Sequence, residues 1–166
     1  MWLADKRQYV HSERSKPMTR TRTGFTNILL PVDFTEYSEK ASEYALMLAK
    51  RDDAELHVVH VVSVSDDIIP LVSSMEFEKK AAKKAQEELK KFAARKFKGY
   101  EKVQTEVLSG VPYREILGAI KSSKCDLVVM GSYGKGGIDR LLVGSTTERI
   151  LRKSTCPVLV IPPAKR

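Results

Sequence analysis

The sequence has little of what several common chemistries require. Its two cysteines, Cys125 and Cys156, sit in or beside strand-like segments without C-x-x-C spacing. A reducing, cytoplasmic setting is the simplest reading; pairing of the two thiols stays open, and nothing in the sequence demands it. No apolar run approaches the ~20 residues of a membrane helix, so no spanning segment is expected. Of the three histidines, His57 and His60 fall three residues apart in one strand-like run. On a strand they point to opposite faces, so a shared metal site is not expected; one should be partly exposed and the other hydrogen-bonded near the sheet. What remains is ordinary globular material: 166 residues, 42% hydrophobic and 30% charged, enough for one domain to bury a core without staples.

The net charge of +8 is concentrated at one end. Residues 1–26 hold Lys6, Arg7, Arg14, Lys16, Arg20 and Arg22 against Asp5 and Glu13, six less two, half of the total. The segment has no apolar stretch for a secretory signal, and its acidic residues argue against a transit peptide. Residues 1–24 are therefore expected to be a poorly ordered basic extension, with an internal start at Met18 as an alternative and the domain proper at 25–166. A solvated tail is preferred to a nucleic-acid or lipid contact.

From residue 27 the chain alternates apolar strands with amphipathic helices. NILLPV (27–32) reads as a strand buried on both faces, with Pro31 at its carboxyl end because proline donates nothing to a ladder. Asp33 follows, Thr35 is placed to cap a helix over 36–50, and Ala41, Tyr44, Ala45 and Leu48 form its stripe. A second strand spans 55–62, and a polar loop covers 63–70. A long helix over 73–97 carries Met75, Ala82, Ala85, Leu89 and Phe92, with Gly99 as its stop. A third strand (102–108), the Gly110 turn and a helix opened by Pro112 follow, with Tyr113, Ile116, Leu117 and Ile120 on one face. A strand at 126–130, a helix at 145–153 and a strand at 157–161 complete the alternation, which implies a mainly parallel sheet between helices. Ligands of such sheets collect at the carboxyl ends of the strands, where strand order reverses.

The stretch 126–146, DLVVMGSYGKGGIDRLLVGST, carries the chemistry. It fits G-x-x-G-x9-G-[ST] through Gly131, Gly134, Gly144 and Ser145. Glycines at a strand end let backbone amides approach an anion, and a helix opening just after offers more. It is not a P-loop, a dinucleotide fingerprint or a hydrolase elbow: the required spacings are missing, Met130 stands where the elbow needs glycine, and no histidine lies downstream. Ser145 and Glu148 also make an S-x-x-E capping box, which is compatible with phosphate binding.

With NILLPVDFTEYS, HVVHVV and CPVLVIP around that motif, residues 27–162 resemble the universal stress protein domain in its ATP-binding branch. The resemblance implies an adenine nucleotide alpha hydrolase-like three-layer α/β sandwich with a five-stranded parallel sheet of order 3-2-1-4-5. It places Pro31, Val32 and Val61 along the adenine and Asp33 at the ribose, with Met130 and Gly131 beside it. Gly134, Gly144, Ser145 and Thr146 fall at the phosphates. Ser132, Lys135 and Arg140 are further candidates from the same loop. It also implies a homodimer through strand 157–161. The cofactor expected is ATP or another adenine nucleotide, with Mg2+ or Mn2+ on the phosphates, no metal ligand set of the protein's own, and no catalytic residues. The expected function is a nucleotide-dependent stress-response binding module; the alternatives are a slow ATPase or autophosphorylating enzyme using Ser132, Ser145 or Thr146, and a nucleotide-free scaffold with its basic tail on nucleic acid.

Overall fold

The computed structural model describes residues 24–63, 75–134 and 143–162. Residues 1–23 of the extension, most of the 63–70 loop, Lys135 and Arg140 lie outside the described residues. The element order is β1 (Asn27–Pro31), α1 (Glu36–Asp52), β2 (Glu55–Ser63), α2 (Met75–Lys96), β3 (Val103–Gly110), α3 (Pro112–Ser122), β4 (Leu127–Gly131), α4 (Ser145–Lys153) and β5 (Val158–Ile161). The five strands are all parallel, in the order β3-β2-β1-β4-β5.

Each central strand divides its side chains by parity between two cores. Ile28, Leu30, Leu56, Val58, Leu127 and Val129 face α1 and α2, while Leu29, Val59, Val128 and Met130 face α3 and α4. Apolar residues at both parities are what a sheet covered on both faces needs, and they give the unbroken apolar runs of the sequence. The helices contribute single stripes: Leu89 and Phe92 from α2, Ile116 and Ile120 from α3, Ile150 from α4. α1 departs from expectation. Its buried residues are Ser38, Ala41, Ser42, Ala45, Leu48 and Ala49, whereas Tyr44 is 39% exposed. Apart from Leu48, the inner face of α1 is made of small residues, and the helix lies close to β4: a Cβ on Gly131 would stand 2.8 Å from the Cβ of Tyr37.

The amino end of the sheet is closed by side-chain hydrogen bonds. Asp126 accepts from the amide and hydroxyl of Thr26, each at 2.7 Å, and from the amide of Asn27 at 3.1 Å, which fixes where β1 begins beside β4. Asp52 accepts from the amide of Phe25 at 3.0 Å. The Tyr100 hydroxyl donates to the carbonyls of Ala49 and Ala54, joining the turn after α1 to the segment before β3. Two expected helix caps are not formed. Thr35 is the residue before α1, but its hydroxyl donates to Asp33 Oδ1 at 2.6 Å and accepts from no amide of the helix. Gly144, not Ser145, precedes α4, and Glu148 turns instead to Arg152 at 2.9 Å, an i,i+4 pair on the exposed face.

Candidate functional site

The carboxyl end of the sheet is open because β1 parts from both neighbours. Its register with β4 stops at Leu29 opposite Val128, although β4 continues to Gly131. Its register with β2 stops at Pro31 opposite Val59, although β2 continues to Ser63. The reversal of strand order is at this point, between β1 and β4. The resulting crevice has a volume of about 820 Å³, within the range of small-molecule sites.

The β2 side of the crevice is apolar with a backbone edge. The amide of Val32 donates to the carbonyl of Val59 at 2.8 Å, so Val59 directs its backbone groups toward β1. Strand geometry then directs the amide and carbonyl of Val61 to the same side, beyond the last β1 residue in the ladder. Pro31, Val32, Val61 and Met130 line this part, with Ile116 from α3. His60 is buried behind it, its Nδ1 at 2.7 Å from the Val32 carbonyl, while His57 is partly exposed and 3.4 Å from Glu55. The two histidines are thus separated as their spacing predicts.

Asp33 stands at the centre. Its Oδ1 accepts from the amide of Thr35 at 3.1 Å and from the Thr35 hydroxyl, so the carboxylate is oriented from within its own loop. Phe34, between them, has φ of 63°, a left-handed conformation unusual for a bulky residue. Its ring packs on His60 at 4.5 Å and Phe92 at 5.9 Å, contacts that can hold the strained turn in place. Across the crevice, a Cβ on Gly134 would lie 2.8 Å from Asp33 Oδ2. A side chain at 134 would therefore push on the tip of the Asp33 carboxylate, at the place where the β1 loop and the β4 loop meet.

The third part is the amino end of α4. Gly144 donates its amide to the Ser132 carbonyl at 2.9 Å, and the buried Thr147 hydroxyl donates to the Gly131 carbonyl at 3.1 Å. These bonds fasten α4 to the end of β4 and leave Ser145, Thr146 and Thr147 along the crevice wall. Helix geometry leaves the amides of these first residues without intrahelical acceptors, and the helix dipole adds partial positive charge. An anion at this place would meet both.

Of the residues expected from sequence, Pro31, Val32, Asp33 and Val61 come together here with Met130, Gly131, Gly134, Gly144, Ser145 and Thr146. Ser132 does not line the crevice: it is 7% exposed, and its Oγ has no hydrogen-bond partner. The three glycines differ in cause. Gly131 makes room for α1 and Gly134 for Asp33, whereas a Cβ on Gly144 would meet nothing closer than 3.4 Å. Sequence reading missed the wall formed by α2, where Ala81, Lys84, Ala85 and Glu88 face the crevice, and also missed Tyr133 and Thr147. The small Ala81 and Ala85 at i,i+4 were a signal for a closely approached helix face. Among the described residues no three His, Cys, Asp or Glu side chains are grouped to hold a metal, and no helix is long and apolar enough to cross a membrane.

The profile of the Universal stress protein family matches residues 24–162. A universal stress protein of Methanocaldococcus jannaschii is 38% identical over 144 residues, covering 86% of this chain and 85% of the relative. The solved universal stress protein UspA from Lactobacillus plantarum is 30% identical with a TM-score of 0.70, over 83% of this chain and 98% of that one. A universal stress protein from Archaeoglobus fulgidus, solved in complex with dAMP, shares the fold at a TM-score of 0.62 and 17% identity, over 82% of this chain and 97% of that one. With the five-stranded order and the glycine motif, these matches make the chain a member of the universal stress protein family.

Proposed function

We propose that the crevice binds an adenine nucleotide, ATP in the first instance, and that the protein is a nucleotide-dependent stress-response module rather than a dedicated enzyme. The observation that carries this is the meeting of three different surfaces in one crevice: the apolar β2 side with the backbone of Val61, the oriented carboxylate of Asp33, and the amides at the start of α4. The base would lie against Val32, Val61 and Met130, the ribose hydroxyls would donate to Asp33, and the phosphates would accept from the Gly134 loop and from Ser145 and Thr146. The complex of a family relative with dAMP supports the adenine class. Lys135 is proposed as a further phosphate contact. A Mg2+ or Mn2+ ion would be held by the phosphates and water with at most one carboxylate.

Binding is favoured over hydrolysis because, among the described residues, the crevice offers two carboxylates, and one of them, Asp33, is engaged by Thr35. Glu88, the other, lies on α2, while α4 forms the phosphate wall. We further propose a cytoplasmic homodimer through β5. This strand ends the sheet and exposes Leu159 at 36%, an apolar edge that a second copy would cover. Mass spectrometry of small molecules released from the denatured, freshly purified protein tests the nucleotide reading. An adenine nucleotide at near-stoichiometric amount is expected; another class of ligand filling the site would overturn it. Incubation with γ-labelled ATP separates the enzyme alternative, which requires sustained phosphate release or label on Ser145 or Thr146.

A further inference from the structure

The chain's two cysteines lie 31 residues apart in sequence and come together at the amino end of the sheet, away from the crevice. Cys125 follows α3 and leads into β4; Cys156 follows α4 and leads into β5, the neighbouring parallel strand. Their Sγ atoms are 3.6 Å apart, both thiols are free, and both pack against the core shared by α3 and α4. A disulfide needs about 2.05 Å between sulfurs, so closing the pair takes a movement on the order of 1.5 Å in side chains at the starts of two strands.

We propose that Cys125 and Cys156 form an oxidative modification site, in which peroxide converts the pair into an intramolecular disulfide linking the start of β4 to the start of β5.

The two thiols are unequally exposed, and this sets the order of events. Cys125 is 7% exposed, and burial, with the hydrogen bond to Cys156, pushes its thiol up to about 12, which makes it the poorer first nucleophile of the two. Cys156 is partly exposed, with the Ser154 hydroxyl 3.6 Å from its sulfur. The Cys156 thiolate attacks one oxygen of hydrogen peroxide and the O–O bond breaks. Hydroxide leaves and takes up the proton that Cys156 released, giving water and a sulfenic acid. The Cys125 sulfur then attacks the Cys156 sulfur; the S–OH bond breaks, and the departing hydroxide takes the Cys125 proton as a second water. Two thiols have lost two electrons, and one peroxide has gained them. The neighbouring Cys125 protects Cys156 from over-oxidation, and the crosslink ties the edge strand β5 to the central β4. Because the bond forms at the end opposite Asp33 and Gly134, it should stabilise the fold and leave the crevice unchanged.

The test is peroxide treatment of the full chain, followed by alkylation under denaturing conditions, intact mass and peptide mapping. The wild type is expected to lose roughly two mass units, resist alkylation, and yield a reductant-sensitive peptide joining Cys125 to Cys156. Its melting temperature should rise by roughly 5–10 °C and return on reduction. Cys125→Ser should trap Cys156 as a dimedone-reactive sulfenic acid, and Cys156→Ser should leave Cys125 alkylatable. Two free thiols at a peroxide dose that oxidises glutathione would overturn the proposal. So would disulfides found only between chains, or oxidation of Cys125 in Cys156→Ser as fast as in the wild type.

Discussion

The two ends of the same sheet are built on opposite rules. At the amino end, the starts of β1 and β4 and the turns before β2 and β3 are tied down: Asp126 gathers three hydrogen bonds from Thr26 and Asn27, Asp52 holds Phe25, and Tyr100 bridges two carbonyls. At the carboxyl end, β1 stops short, β2 runs on without it, and glycines stand where side chains would fill the gap. Parallel strands require this asymmetry, because the crossover helices return the chain to the amino end and leave the other end to loops. The comparison teaches that stability and binding are separable here: variants at the first end should change folding, and variants at the second should change affinity.

Gly131 is the exception that sharpens the division, since it lies at the open end but serves the fold. A side chain there would stand 2.8 Å from the Tyr37 Cβ and 3.0 Å from its carbonyl carbon, and backbone cannot step aside cheaply. Gly131→Val should cost at least about 3 kcal/mol in urea unfolding. Asp126→Ala comes next: it removes one acceptor from three donors and should cost about 2–3 kcal/mol, with nucleotide affinity of the folded protein unchanged. Gly134→Ala reverses the pattern. Its Cβ would displace Asp33 Oδ2, so affinity should fall roughly tenfold, about 1.4 kcal/mol, while the melting curve hardly moves. Gly144→Ala has room at 3.4 Å and an ordinary φ of −59°, so stability should stay within about 1 kcal/mol. Any larger loss of affinity in that variant would report the approach of a ligand to the helix amides.

The smallest effect expected concerns α1 and α2. The hydrogen bond from Arg95, aided by Lys96, holds the Glu39 carboxyl below its ordinary value against the opposing effect of burial. A depressed carboxyl contributes stability that is present above its unfolded value near 4.5 and lost as pH falls through the folded value. With Glu39 36% exposed, screening limits the contribution to below about 1 kcal/mol. Glu39→Gln should therefore narrow the stability difference between pH 7 and pH 3 only slightly, as chemical denaturation at the two pH values would measure.

Much of the frame was legible in the sequence because its signals are local. Apolar runs marked all five strands within a residue or two, and Pro31 marked the end of β1. The strand order came from the family resemblance, since periodicity alone does not order a sheet. What failed was of two kinds. Thr35 and Ser145 read as caps by local pattern, but Thr35 is recruited by Asp33 and the residue before α4 is Gly144. The α2 wall of the crevice, the buried Ser132 and the role of Asp126 depend on contacts between distant segments. No spacing rule reports such contacts.

The central claim is that the open end of the sheet holds an adenine nucleotide between Asp33 and the start of α4. Calorimetric titration of ATP and of GTP into the full chain and into Gly134→Ala tests it most directly. The account predicts one ATP site per chain, a clear preference over GTP, and roughly tenfold weaker binding in the folded variant. No heat of binding for any adenine nucleotide, or equal affinity in wild type and Gly134→Ala, would contradict it.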